Sequence, residues 1–105
     1  MERTILENNL VLTPESDIVS SKVKELVEAA KKHMNTEEKY QGVILNLGKV
    51  SMIDSIGITF VIGLYKSASN MGKGFKVSGL NTDIKQLFGI MRLDQVFEIE
   101  ATQIV

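Results

Sequence analysis

Apolar and polar residues fall into short blocks whose periods change along the chain. Thr4–Leu6 and Leu10–Leu12 are brief β-type runs separated by Glu7-Asn8-Asn9. Asparagine tolerates the left-handed backbone of tight turns, so the two runs predict a small hairpin. Pro14, the only proline, ends the second run. Val19, Val23, Leu26, Val27, Ala30 and Met34 then recur at spacings of three and four, which predicts an amphipathic helix. Lys22, Lys24, Glu25, Glu28, Lys31 and Lys32 fill its other face. Asp17, Ser20 and Ser21 are all competent caps for its start. Asn35–Lys39 is a polar loop.

Gly42 precedes Val43-Ile44-Leu45-Asn46-Leu47, a compact apolar run that reads as a buried strand. The segment from Ile56 to Asn70 carries two signals. Thr59-Phe60-Val61-Ile62 favours strand by propensity. However, positions 58, 61, 62 and 65 share a helical face, as do 56, 60 and 64, and the run to Met71 is long for a strand. It is read as a helix, with Gly72 as its stop. Phe75–Ser78 alternates as a strand does. Asn81 or Thr82 caps a short helix with Ile84, Leu87, Phe88 and Met91 as its stripe, and Val96–Ile99 reads as a last strand. The order β-β-α-β-α-β-α-β predicts an α/β sandwich with some parallel strands.

Composition narrows this picture without redirecting it. At 105 residues, one domain spanning 1–105 is expected. With no cysteine, disulfides, thiolate metal sites and thiol chemistry drop out, which fits a reducing cytoplasm. Twelve basic and thirteen acidic residues leave a net charge of −1, without the basic excess of a nucleic-acid surface. The start, Met1-Glu2-Arg3-Thr4, has no long apolar region of the signal-peptide kind. The longest apolar stretch, around Ile56–Leu64, is too short to span a bilayer, so no membrane insertion is expected.

Catalytic chemistry finds little purchase. His33, the only histidine, lies in the amphipathic helix beside Lys31 and Lys32, with no second His or Cys to complete a zinc site. Ser55 and His33 belong to a Ser-His-Asp triad only on paper, because the G-x-S-x-G elbow is missing: Ile53 stands where its first glycine belongs. Gly72-Lys73-Gly74 and Gly79 match neither dinucleotide nor P-loop glycine patterns and read as a helix stop and a turn. No metal, cofactor or enzymatic activity is expected.

The informative stretch is Ser51-Met52-Ile53-Asp54-Ser55-Ile56-Gly57-Ile58. A helix is predicted to begin here, and Asp or Ser is a preferred N-cap. The same helix end has unpaired N–H groups and a partial positive charge that welcome an anion. Gly57, lacking a Cβ, leaves its backbone open to a partner or a phosphate. A serine hydroxyl at such a corner is a sensible phosphoacceptor, and phosphate adds about −1.5 to −2 charges there.

Asp54-Ser55-Ile56-Gly57, preceded by an apolar strand and a short linker, resembles the D-S-[ST]-G region of STAS domains, in particular the bacterial anti-sigma factor antagonists. The resemblance runs over roughly residues 10–99. It includes Leu64-Tyr65-Lys66, the Gly72-Lys73-Gly74 turn, Val77-Ser78-Gly79-Leu80-Asn81, and an ending from Ile90 to Phe97 of the form LD-x-V-F. It implies a small mixed sheet with helices packed mainly on one face, and a helix over residues 56–71. It also implies a phosphorylation-controlled binding switch. Ser55 is then the residue phosphorylated by a serine kinase that doubles as an anti-sigma factor. The unphosphorylated form binds that kinase and releases sigma factor, and a metal-dependent serine phosphatase resets it. Asp54 and Asp17 correspond to the family's acids beside the serine and before the first long helix. Ile56 stands where Ser or Thr is common, which removes a second hydroxyl, and Thr59 stands where many members have glycine.

Ile56, Ile58, Thr59 and Ile62 are expected to form the docking edge, with ATP and Mg²⁺ belonging to the kinase. The protein would then be a cytoplasmic substrate of signalling enzymes. The alternative is an unphosphorylated scaffold or regulatory interaction module, in a stress-signalling complex or as a transport-system subunit. A small hydrolase acting through Ser55 is a third class.

Overall fold

A computed structural model describes residues 1–100. The expected single domain over 1–105 extends into 101–105, which lie outside the described residues. The elements follow the expected order: β1 (Glu2–Leu6), β2 (Asn9–Thr13), α1 (Ser20–Met34), β3 (Gly42–Asn46), α2 (Ser55–Asn70), β4 (Gly74–Ser78), α3 (Thr82–Ile90) and β5 (Glu98–Ile99). The ambiguous segment after Asp54 is a helix. No helix among the described residues is long and apolar enough to cross a membrane.

The five strands lie side by side in chain order. β1 and β2 are antiparallel, with Leu6 opposite Asn9, so only Glu7 and Asn8 make the turn. Both have positive φ, 51° and 67°, as a two-residue hairpin with the right twist requires. The remaining pairs, β2–β3, β3–β4 and β4–β5, are parallel. Strands that advance one place at a time, with crossovers of one hand, return every helix over the same sheet face. Leu10, Leu12, Val43, Leu45 and Val77 share the core with Leu26, Ala30 and Met34 of α1, Ile58, Val61 and Leu64 of α2, and Ile84 and Phe88 of α3.

The last strand is shorter than the predicted Val96–Ile99. Leu93–Gln95 forms a 3-10 turn, and the Phe97 amide donates back to the Leu93 carbonyl at 3.1 Å. This turn uses up Val96 and Phe97 before pairing with β4 begins at Glu98. Val96 stays exposed, while Phe97 packs edge-on against Phe75 and Phe88, with ring centroids 5.2 and 6.3 Å away.

At the far end of α1, the Tyr40 hydroxyl donates to the Met34 carbonyl at 2.6 Å, and burial pushes its pKa up. Lys73 Nζ donates to the Tyr40 carbonyl at 2.6 Å and lies 4.2 Å from the ring centroid. These contacts tie the α1–β3 and α2–β4 connections together. α2 ends at Asn70, two residues before Gly72, whose φ of +72° is the left-handed stop that glycine permits, and Lys73 N–H donates to the Ala68 carbonyl at 2.9 Å.

Two glycines of α2 have opposite roles. A Cβ on Gly57 would lie 1.9 Å from the Ile18 carbonyl oxygen and 2.9 Å from Ile53 Cγ2, whereas one on Gly63 would meet nothing within 4 Å. Gly57 is therefore buried by a backbone approach and is not open to a partner, contrary to the sequence expectation. Gly57→Ala should lower stability by about 3 kcal/mol or more through overpacking against backbone. Gly63→Ala should raise it by about 0.5–1 kcal/mol by reducing the freedom of the unfolded chain. Urea unfolding of both variants checks this, and a Gly57→Ala midpoint equal to wild type would refute the close approach.

Candidate functional site

The site is built where two loops at the carboxyl ends of β2 and β3 run alongside each other. Ile18 and Ile53 form an isolated parallel bridge, with Ile18 N–H donating to Met52 O at 3.1 Å and Asp54 N–H to Ile18 O at 3.3 Å. Both isoleucines are buried, so this bridge pins the loops to the core.

Two aspartates then brace the loops reciprocally. Asp17 Oδ1 accepts from the amides of Ser51 at 2.8 Å and Met52 at 3.1 Å. Asp54 Oδ1 accepts from Gly57 N–H at 2.7 Å, the N-cap bond of α2, and its Oδ2 accepts from Ser20 N–H at 2.8 Å. One carboxylate thus serves the first turns of two helices. α1 has Val19 in its N-cap position and no cap from a local side chain. None of Asp17, Ser20 and Ser21 caps it; the capping group comes from Asp54, 34 residues downstream. Asn81 adds a third tie: its Oδ1 caps α3 through Ile84 N–H at 2.8 Å, and its Nδ2 donates to Ser51 O at 3.1 Å.

The Gly57 amide, followed by that of Ser20, holds the Asp54 carboxyl below its ordinary pKa. The carboxylate is therefore charged at neutral pH, with its lone pairs turned toward protein N–H groups.

Ser55 is the first residue of α2 and is exposed. Its carbonyl accepts from Thr59 Oγ1 at 3.2 Å, one turn on, and its own hydroxyl bonds to no described residue. Two apolar side chains near it in sequence face solvent: Met52 at 59% exposure and Ile56 at 49%. Sequence reading passed over Met52. Its signal was parity: Ile53 faces the core, so Met52 faces out.

The expected docking edge needs correction. Ile56 and Thr59 are exposed, but Ile58 is only 3% exposed and belongs to the core, and Ile62 is half-buried against it. α2 buries its 57, 58, 60, 61, 64 and 68 positions. Asp17 acts from below the site as a brace and is itself half-buried.

Among the described residues no catalytic array forms at Ser55. Ser20 contacts Asp54, whereas His33 lies in the last turn of α1, about 20 Å further along that helix at 1.5 Å per residue. Among the described residues no group of three or more metal-ligating side chains gathers. An exposed hydroxyl at a helix N-terminus, bordered by apolar side chains, can be modified and can be covered by a partner.

The family model for the STAS domain matches residues 1–103. A crystal structure of a protein described as an anti-sigma factor antagonist from Thermotoga maritima superposes with a TM-score of 0.85 at 20% identity, covering 96% of this chain and 86% of that one. An anti-sigma factor antagonist from Mycobacterium paratuberculosis gives 0.83 at 16% identity, with 96% and 84% covered. The STAS domain of a SulP transporter from Vibrio cholerae gives 0.72 at 18% identity, with 94% and 77% covered. At these identities the likeness is one of fold.

The Asp54 brace has a pH signature. Its pKa is depressed in the folded state, so its contribution is full above the unfolded value of about 3.9 and is lost as pH falls through the folded value. Asp54→Ala should show a lower urea midpoint than wild type at neutral pH, and the gap should narrow in acid below about pH 4. Asp54→Asn should fall between them, because its single carboxamide oxygen keeps one of the two helix contacts. A gap unchanged by acid would mean that the carboxylate charge contributes nothing.

Proposed function

The chain belongs to the STAS domain family, and from that premise we propose that it is a phosphorylation-controlled binding switch of the anti-sigma factor antagonist kind. Ser55 is the phosphoacceptor. The observation that carries this reading is the exposed, unbonded Ser55 hydroxyl at the start of α2, set between the solvent-facing Met52 and Ile56. The partner is a serine kinase that also acts as the anti-sigma factor, and a serine phosphatase reverses the modification. The fold likeness to two proteins described as anti-sigma factor antagonists agrees with this.

The chemistry follows from the corner's construction. Unphosphorylated, Met52, Ile56 and Thr59 offer a small mixed surface around Ser55. Methionine adapts to a partner's contours, and Ile56 adds apolar area beside the serine. The kinase brings ATP and Mg²⁺; this chain contributes the nucleophilic oxygen, held at a fixed place by the braced helix start. After transfer, about −1.5 to −2 charges sit beside the Asp54 carboxylate and between two apolar side chains. Docking would then bury a dianion next to a carboxylate, which is costly. A loss of about 3–4 kcal/mol would move a micromolar complex to near-millimolar affinity. Release, not unfolding, is the expected consequence, because the helix N-terminus tolerates an anion.

Incubation with a partner kinase of this class and ATP should add one phosphate, located to Ser55 by intact-mass and peptide measurements. Ser55→Ala should bind the kinase persistently, and Ser55→Asp about 100-fold or more weakly, as charge burial at a docking face predicts. Unmodified protein that still binds its partner would favour the scaffold or transport-subunit reading. Equal binding by both variants and wild type would rule out the switch.

A further inference from the structure

Along the outer side of the helical layer, α1 and α2 leave an open cleft of about 540 Å³. Its floor is formed by Ala30, Met34, Phe60 and Leu64, all 5% exposed or less. The gap exists because Gly63 projects nothing into it; a Cβ there would have open space around it. Lys31 is the one charged side chain on the walls, and it forms no ion pair among the described residues. It is exposed and belongs to the last turn of α1.

These features select a ligand class. The volume lies within the range of about 300–1,000 Å³ found for small-molecule sites, and apolar walls with a few polar groups at the rim are their usual construction. A hydrocarbon chain matches the floor. A single negative head matches an unpaired lysine on a wall without acids. We propose that the α1–α2 cleft binds a small carboxylate-headed amphiphile, its chain over Phe60 and Leu64 and its carboxylate at Lys31. The cleft also has a route to the acceptor corner: Thr59 lines it and donates to the Ser55 carbonyl, so an occupied cleft abuts the turn that carries Ser55. The binding claim itself does not rest on Ser55 being phosphorylated.

The test uses decanoate, below its micelle-forming concentration, titrated into isotope-labelled unphosphorylated protein with no kinase present. Amide shifts should saturate and concentrate on residues 27–35 and 59–71. Gly63→Leu fills space that is empty and should abolish saturable binding while leaving the rest of the spectrum in place. Lys31→Glu is a surface change that leaves the floor intact. It should weaken decanoate by about two- to five-fold, the scale of one exposed ion pair, and improve binding of decyltrimethylammonium. Three results would each overturn the proposal: no saturable shift, shifts that map away from the cleft, or equal affinity for the anion and the cation in wild type. Should Gly63→Leu bind decanoate as wild type does, the cleft is not the site and the proposal is wrong.

Discussion

The structure turns on a pair of aspartates that each satisfy the other's loop. Asp17 accepts the amides at 51 and 52, and Asp54 accepts those at 20 and 57. Asp17 gives its oxygen to the other loop, and Asp54 divides its two oxygens between the other loop and its own helix. The Ser20 amide would otherwise lack its cap, since the Val19 side chain has no acceptor to offer. The Ser51–Met52 turn would likewise leave two amides pointing at a carboxylate that was not there. Because the two loops come from successive parallel strands, bracing them also sets where α1 and α2 begin relative to each other. Everything between those helices, the cleft included, inherits that spacing.

A brace of this kind demands close approach, and Gly57 supplies it. The first turn of α2 reaches within van der Waals contact of the Ile18 carbonyl only because no Cβ intervenes. The same residue donates the amide that Asp54 Oδ1 accepts. The D-S-x-G pattern therefore has a division of labour. The aspartate ties two helices, the glycine permits the contact, and the serine between them is left facing solvent with its hydroxyl unspent. The fixed parts of the motif concern construction; only Ser55 and its exposed neighbours are available to chemistry.

Much of this was legible in the sequence. Period-two and period-four patterns gave the order of strands and helices, and the cap-like Asp-Ser pair marked the start of α2. What escaped has physical causes. Capping rules look one to three residues away, so they assigned α1 to Asp17, Ser20 or Ser21 and missed Asp54, 34 residues on. Position 57 looked open because a missing side chain reads identically whether it exposes backbone or admits it to the core. Ile58 was placed on the docking edge because α2 is apolar around most of its girth in its first half, and periodicity then fixes which residues share a face but not which face meets the sheet. Phe97 was assigned to a strand on composition, although its role is to fill the aromatic cluster from the end of a 3-10 turn.

The geometry also separates the surface from the frame beneath it. Ile53, Gly57 and Ile58 lie inward, while Met52, Ser55, Ile56 and Thr59 lie outward along the same few residues. An anion attached to Ser55 would add charge to the outward set, where water can solvate it. The Asp54 oxygens already hold their donors, so the incoming charge has no vacant cap to claim, and the braces have no reason to break. A partner would meet a changed surface on an unchanged frame. Such a device can reverse binding without drawing on the small net stability that holds a domain of this size together. This is the physical advantage that a hydroxyl one residue past an occupied N-cap would bring to such a switch.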